Sequence, residues 1–188
     1  MLQPTLEFVV LGNEIDSARG VADMVGGVAY VDDRPDSRGL PFRTLVRAVT
    51  DRPELLTPAA SIGRYVVCVR PKKVRPTGHD PETGVVQINA MVNHPSLTPE
   101  EADTHWRDVH APLALKHHVG MAQYTQMSVV QAIDGPAYRG FALCEFDSMD
   151  ELRERFFDGP DGERAIYADI ASFADRELSP RRLLARRL

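Results

Sequence analysis

Leu97-Thr98-Pro99-Glu100-Glu101-Ala102-Asp103-Thr104-His105-Trp106-Arg107-Asp108-Val109-His110-Ala111-Pro112-Leu113-Ala114 is the stretch whose reading decides the fold. Thr98 is placed as an N-cap, Pro99 at the first helical position, and Glu101 where it closes a capping box. Ala102, Trp106 and Val109 recur at helical spacing, which predicts a helix to about Val109. Pro112 lacks a donor and crowds the preceding turn, so a kink is expected there, after which Leu113, Ala114 and Leu115 resume the pattern until Gly120 stops it.

Strands flank this helix. Val85 to Val92 is an apolar, β-branched run, and Met121 to Val130 is a second strand ending in the turn Asp134-Gly135-Pro136, with Phe141 to Phe146 as its partner. Ser148 followed by Glu151 opens another helix at Met149, interrupted at Gly159-Pro160 and resumed to about Arg176 through Ile166, Ile170 and Phe173. The order is β-α-β-β-α. Leu178 to Leu188 must supply a last strand to complete a ferredoxin-like unit, against the helical propensity of 181–188.

Upstream, Leu6 to Leu11, Val28 to Val31, Phe42 to Val49 and Arg64 to Val69 read as strands, with one poor helix at Glu14 to Met24. The Pro- and Gly-bearing polar segment from Pro71 to Gly84 is the best linker. The division is then 1–76, a linker at 77–84, and 85–188. The first unit has too few amphipathic helices to cover its own sheet, so the two are expected to pack as one barrel-like body.

The formal net charge of −5 among 188 residues argues against a polyanionic partner such as nucleic acid. Cys68 and Cys144 sit in apolar runs with no metal-site spacing, which suits buried thiols in a reducing compartment. No segment approaches the roughly 20 apolar residues a membrane helix needs, and a cytoplasmic location is expected. Without a Gly-rich phosphate loop, a G-x-S-x-G elbow or an H-E-x-x-H pair, cofactor-free chemistry is expected, with no metal.

His110, next to the Pro112 break, is the best general acid–base candidate, its imidazole able to exchange a proton near neutral pH, although a capping or core role would place it equally well. His105 lies five residues before it, about 140° around a regular helix, so the two should not share a face; His105 and Asp108 read as solvated positions. His117-His118 adds donors nearby, and Trp106 belongs to the apolar stripe. Tyr124 and Gln126 alternate on one face of their strand and could bond a substrate carbonyl inside a barrel; Glu145 is a second proton-transfer group or a rim residue.

The segment from Leu97 to Ala114 resembles the EthD signature, in which a capped helix carries a Trp and then a His-Ala-Pro-Leu-like element. Gly120-Met121-Ala122-Gln123-Tyr124, Phe146-Asp147-Ser148-Met149-Asp150-Glu151-Leu152 and Ala168-Asp169-Ile170-Ala171-Ser172-Phe173-Ala174-Asp175 resemble, in order, the family's second strand and the entry and exit of its second helix. The resemblance implies an α+β fold of the dimeric α+β barrel type: tandem ferredoxin-like repeats, the first shortened and degenerate, with a homodimer as the family's habit. For function it implies a cofactor-independent lyase or isomerase that decarboxylates, dehydrates, cyclises or shifts a proton on an aromatic, polyketide-like or lactone carbonyl compound. His110 and Tyr124 would be catalytic, and Trp106, Gln126, Glu145 and His117 would contact a small hydrophobic or aromatic metabolite. A non-catalytic binding or accessory protein and a haem-binding oxygenase or dehydratase are the alternatives.

Overall fold

The computed structural model describes residues 3–34, 39–76, 78 and 84–188. Apart from Gly78 and Gly84, the expected linker at 77–84 lies outside the described residues. The chain runs β1 (Thr5–Gly12), α1 (Ile15–Val25), β2 (Val28–Val31), β3 (Thr44–Ala48), a 3-10 segment (Pro53–Ala59), β4 (Gly63–Lys73) and β5 (Val85–Met91). It continues through α2 (Pro99–His105), a π-turn (Trp106–His110), α3 (Ala111–His117), β6 (Gln123–Asp134), β7 (Gly140–Phe146), α4 (Met149–Glu154), α5 (Pro160–Phe173) and β8 (Leu183–Arg187).

The eight strands form one closed barrel in the order β1-β3-β2-β8-β5-β7-β6-β4, and every pairing is antiparallel. Strands from both halves share it through two seams. β4 pairs with β6 over a long, bulged ladder, whereas β2 meets β8 only at Tyr30↔Arg187 and Val31↔Arg186. Closure removes every sheet edge, which explains why 183–187 is a strand in spite of its helical propensity: the ladder positions on β2 and β5 are otherwise unfilled.

Alternation along the strands sorts residues into two environments. Val9, Leu11, Leu45, Tyr65, Val67, Ile88, Met127, Phe141, Leu143 and Ala185 fill the barrel interior. One end of that interior is charged: Arg47 clasps Glu7 at 2.8 and 2.9 Å, and Gln123 donates to Glu145 at 2.7 Å. Burial pushes the Glu145 carboxyl up, with Arg75 and Gln123 pulling the other way, and burial beside Glu145 pushes Tyr30 up to about 12.

The other face of the sheet carries the helices. α1 and the 3-10 segment cover Val10, Ala29, Val46 and Ala48, while α3, α4 and α5 cover Val85, Tyr124, Cys144 and Phe146. The weak helix expected at 14–24 is therefore a real one, closed by Gly26 at φ 64, where a left-handed residue ends the turn. The first half has a 3-10 segment where the second half has α4 and α5.

Gly140 fixes where the Trp106 ring lies. A Cβ at this position would stand 2.6 Å from the indole, so Gly140→Ala is expected to push the ring aside and destabilise the protein by about 1–3 kcal/mol in a urea denaturation series.

Candidate active site

α2 begins as the sequence requires. The Thr98 hydroxyl accepts from the Glu101 backbone N–H, and the Glu101 carboxylate accepts in return from the Thr98 backbone at 2.8 Å. The break expected near Pro112 takes a different form and falls one turn earlier. Pro112 has no N–H to give to the carbonyl four residues back, and the chain widens into a π-turn in which Ala111 donates to the carbonyl of Trp106.

The extra residue in that turn overturns the expectation that His105 and His110 lie on different faces. In an i→i+5 turn residues five apart come into line, and both imidazoles reach one carboxylate on α5. His110 Nδ1 stands 2.7 Å from Asp169 Oδ2, and His105 Nε2 stands 2.7 Å from Asp169 Oδ1. Both rings lie against Phe173, with centroids at 5.1 and 5.2 Å. The Ser172 hydroxyl donates to the backbone carbonyl of Asp169 at 2.6 Å and braces the turn that carries it.

Burial would push the Asp169 carboxyl up, but the hydrogen bonds from His110 and His105 outweigh it and hold the group below its ordinary value. An ionised carboxylate only accepts, so His110 donates through Nδ1. In the neutral ring that tautomer leaves the lone pair on Nε2, and among the described residues no protein group bonds it. The His110 ring lines a cavity of about 190 Å³ together with Trp106, His118, Tyr124, Cys144 and Phe173.

The cavity does not lie inside the barrel, where Tyr124 and Gln126 were expected to face. It lies between the outer face of β5, β6 and β7 and the helices, because Tyr124 and Cys144 fall on the helix-covered side of the strand alternation. Tyr124 lines it; Gln126 sits behind, fully buried, donating to the Trp106 carbonyl at 2.8 Å and to the Tyr124 hydroxyl at 3.1 Å. The Tyr124 hydroxyl thus receives a hydrogen bond, and its own proton is left to give. Burial pushes its pKa up, so it acts as a donor and not as a base.

Two other expected contact residues lie elsewhere. Glu145 points into the barrel interior, and His117 turns to Asp158, at 2.9 and 3.0 Å, packed so closely on Gly162 that a Cβ there would meet its ring. It is His118, the neighbouring residue, that reaches the cavity. Cys144 also lines it, and burial pushes its thiol up to about 12, which leaves it an inert apolar wall at neutral pH.

A larger cleft, about 410 Å³, lies on the other side of Trp106, but its Arg70, Asp103 and Ser128 are bonded to one another. Of these two, the smaller cavity combines an imidazole, a phenol donor and an apolar wall.

A closed antiparallel barrel with its helices outside and a histidine-bearing cavity beneath them defines an α+β barrel protein. Residues 94–177 match the model of the EthD domain, which the second half was expected to resemble. None of the curated proteins matches the chain. Among solved structures it is similar to an anthrone oxidase-like protein, at a TM-score of 0.58 and 10% identity over 98% of this chain and 91% of that one. A protein from Fusobacterium nucleatum provisionally named a monooxygenase is similar at a TM-score of 0.58 and 8% identity, over 98% and 92%. At these identities the likeness concerns the fold. Among the described residues no helix is long and apolar enough to cross a membrane, and no group of three or more His, Cys, Asp or Glu could hold a metal ion.

Proposed function

We propose that the cavity takes a small aromatic or polyketide-like carbonyl compound, and that His110, oriented by Asp169, moves a proton at the carbon next to the carbonyl. The observation that carries this reading is His110 itself: its Nδ1 is held at 2.7 Å by a carboxylate, its Nε2 has no partner among the described residues, and the residue lines the cavity. Nε2 takes the α-proton, the C–H electron pair moves to the carbonyl oxygen, Tyr124 donates to the enolate oxygen, and Asp169 stabilises the imidazolium. Return of the proton at another carbon gives an isomerase, and expulsion of a β-hydroxyl group, which leaves as water with the imidazolium proton, gives a lyase; a β-keto acid instead forms the same enolate by losing carbon dioxide, and the imidazolium then protonates its carbon. The same enolate is where a cofactor-free oxygenation would begin, which is how the names of the two similar structures bear on this chain.

A space of about 190 Å³ fits one or two fused rings. A haem is larger than the drug-sized ligands that need ~300–1,000 Å³, so the haem alternative does not fit these residues and no step is derived through one. A binding or accessory protein remains the competing reading. Deuterium incorporation from D₂O into the benzylic α-carbon of 2-tetralone separates the two, since a mere binder holds the ketone without exchanging it. Tyr124→Phe keeps the packing of the ring and is expected to lower that exchange rate by about 10²–10³-fold.

The strand order supports a further part of the proposal. β1 to β4 are arranged 4-1-3-2, and β5 to β8 repeat that order, so residues 1–76 and 85–188 read as two fused ferredoxin-like repeats, the first degenerate. A homodimer would have to use an outer surface, because one chain already closes the barrel. Light scattering checks it, and a monomer mass at all working concentrations refutes it. A cytoplasmic location is likewise part of the proposal.

A further inference from the structure

His118 ends α3 and is buried, its ring packed against those of Phe156 and Phe157 at centroid distances of 4.3 and 5.1 Å. Its Nδ1 is 2.7 Å from the backbone carbonyl of Phe156. A carbonyl oxygen only accepts, so the Nδ1 position carries the hydrogen and the tautomer is fixed. Burial holds the ring neutral, its pKa lowered to about 4, with His110 and His117 nearby adding to the effect. In that state Nε2 has a lone pair and no proton, and among the described residues nothing in the protein donates to it. His118 lines the same cavity as His110 and Tyr124.

We infer that His118 is a specificity-determining residue whose Nε2 accepts a hydrogen bond from a hydroxyl on the ligand, so that the cavity takes a hydroxylated aromatic ring, a phenol or ring enol. This rests on the reading of the cavity as a ligand site and narrows its substrate class. An acceptor on a cavity-lining ring to which the protein donates nothing is satisfied by a ligand O–H. An ether or a fluorine offers it no proton. Tyr124, His118 and His110 then divide the labour: Tyr124 gives a proton to a carbonyl, His118 receives one from a hydroxyl, and His110 acts on the carbon framework between them.

Two near-isosteric probes test this, 2-naphthol and 2-fluoronaphthalene, titrated into the full chain and monitored by NMR. The parent is expected to bind 2-naphthol about tenfold more tightly, the size of one neutral hydrogen bond. His118→Asn places an amide N–H where Nδ1–H was and removes the second nitrogen, so the ratio of the two affinities should fall to about one. In the parent, the ¹⁵N resonance of His118 Nε2 should shift with 2-naphthol and stay put with 2-fluoronaphthalene, a readout that needs no variant to fold. Equal affinities, or a hydroxyl preference that survives in His118→Asn, overturn the inference and leave the site reading intact. Failure of both probes to bind overturns the site reading and the inference together.

Discussion

Asp32→Ala is expected to weaken the barrel by about 2–4 kcal/mol, the combined effect of an unpaired buried N–H and a lost charge-assisted pair. Asp32 is fully buried at the end of β2, where its carboxylate accepts from Arg34 at 2.8 and 2.6 Å and from the backbone N–H of Leu184 at 2.9 Å. Leu184 belongs to β8, so this side chain ties the short seam on which closure depends. For a chain of this size the loss corresponds to a fall in Tm of about 4–16 °C, read by calorimetry. Asp33 is the control: its bond to Arg186 at 2.7 Å is half exposed, and Asp33→Ala should cost below ~1 kcal/mol. The pH dependence has a definite sign. Burial raises the Asp32 carboxyl, but Arg34 and the Leu184 N–H outweigh it and hold the group below its ordinary value. Its contribution is therefore complete above the unfolded pKa near ~4 and disappears as the pH falls through the lower folded value, and Asp32→Ala should flatten that part of the acid-unfolding curve.

His110→Ala should reduce proton exchange on a bound ketone by about 10²–10⁴-fold, the range for a removed general base. The fold should survive. The imidazole is buried against Phe173 and bonded to Asp169, so some stability is lost, but Asp169 keeps His105 as a partner and the cavity merely enlarges. A loss of about 1–2 kcal/mol in urea unfolding is expected, with binding of 2-naphthol retained. A collapsed fold with exchange preserved in the residual native protein would return His110 to the structural role that its position beside Pro112 also allows.

The second half is legible in the sequence because its helix starts are written in local chemistry. Thr98 with Glu101, and Ser148 with Glu151, bond as their spacing implies. What stays hidden depends on geometry that no local pattern encodes. The alignment of His105 with His110 needs a π-turn, and helical wheels drawn at 100° per residue separate them. Asp169 escapes a sequence reading as a site residue, although a signal is present: it is the lone acidic residue on the stripe formed by Ile166, Ile170 and Phe173, where a charge demands a partner. Tyr124 reads as a barrel-interior residue because both faces of its strand mix polar and apolar residues; in a closed barrel wrapped by helices both faces are buried, and alternation alone does not say which is inside. The expectation of His117 rather than His118 fails for a similar reason, since one step at the end of α3 decides whether a ring meets Asp158 or the cavity.

The central claim is that His110, held by Asp169, is a base on the wall of a ligand cavity. Its most direct test is deuterium incorporation into 2-tetralone in D₂O near neutral pH, with the parent, His110→Ala and buffer alone measured side by side. The account predicts exchange by the parent well above buffer, saturating with ketone concentration, and a rate for His110→Ala at least about 100-fold below the parent. A parent no faster than buffer although the ketone binds, or a His110→Ala variant as fast as the parent, would contradict it.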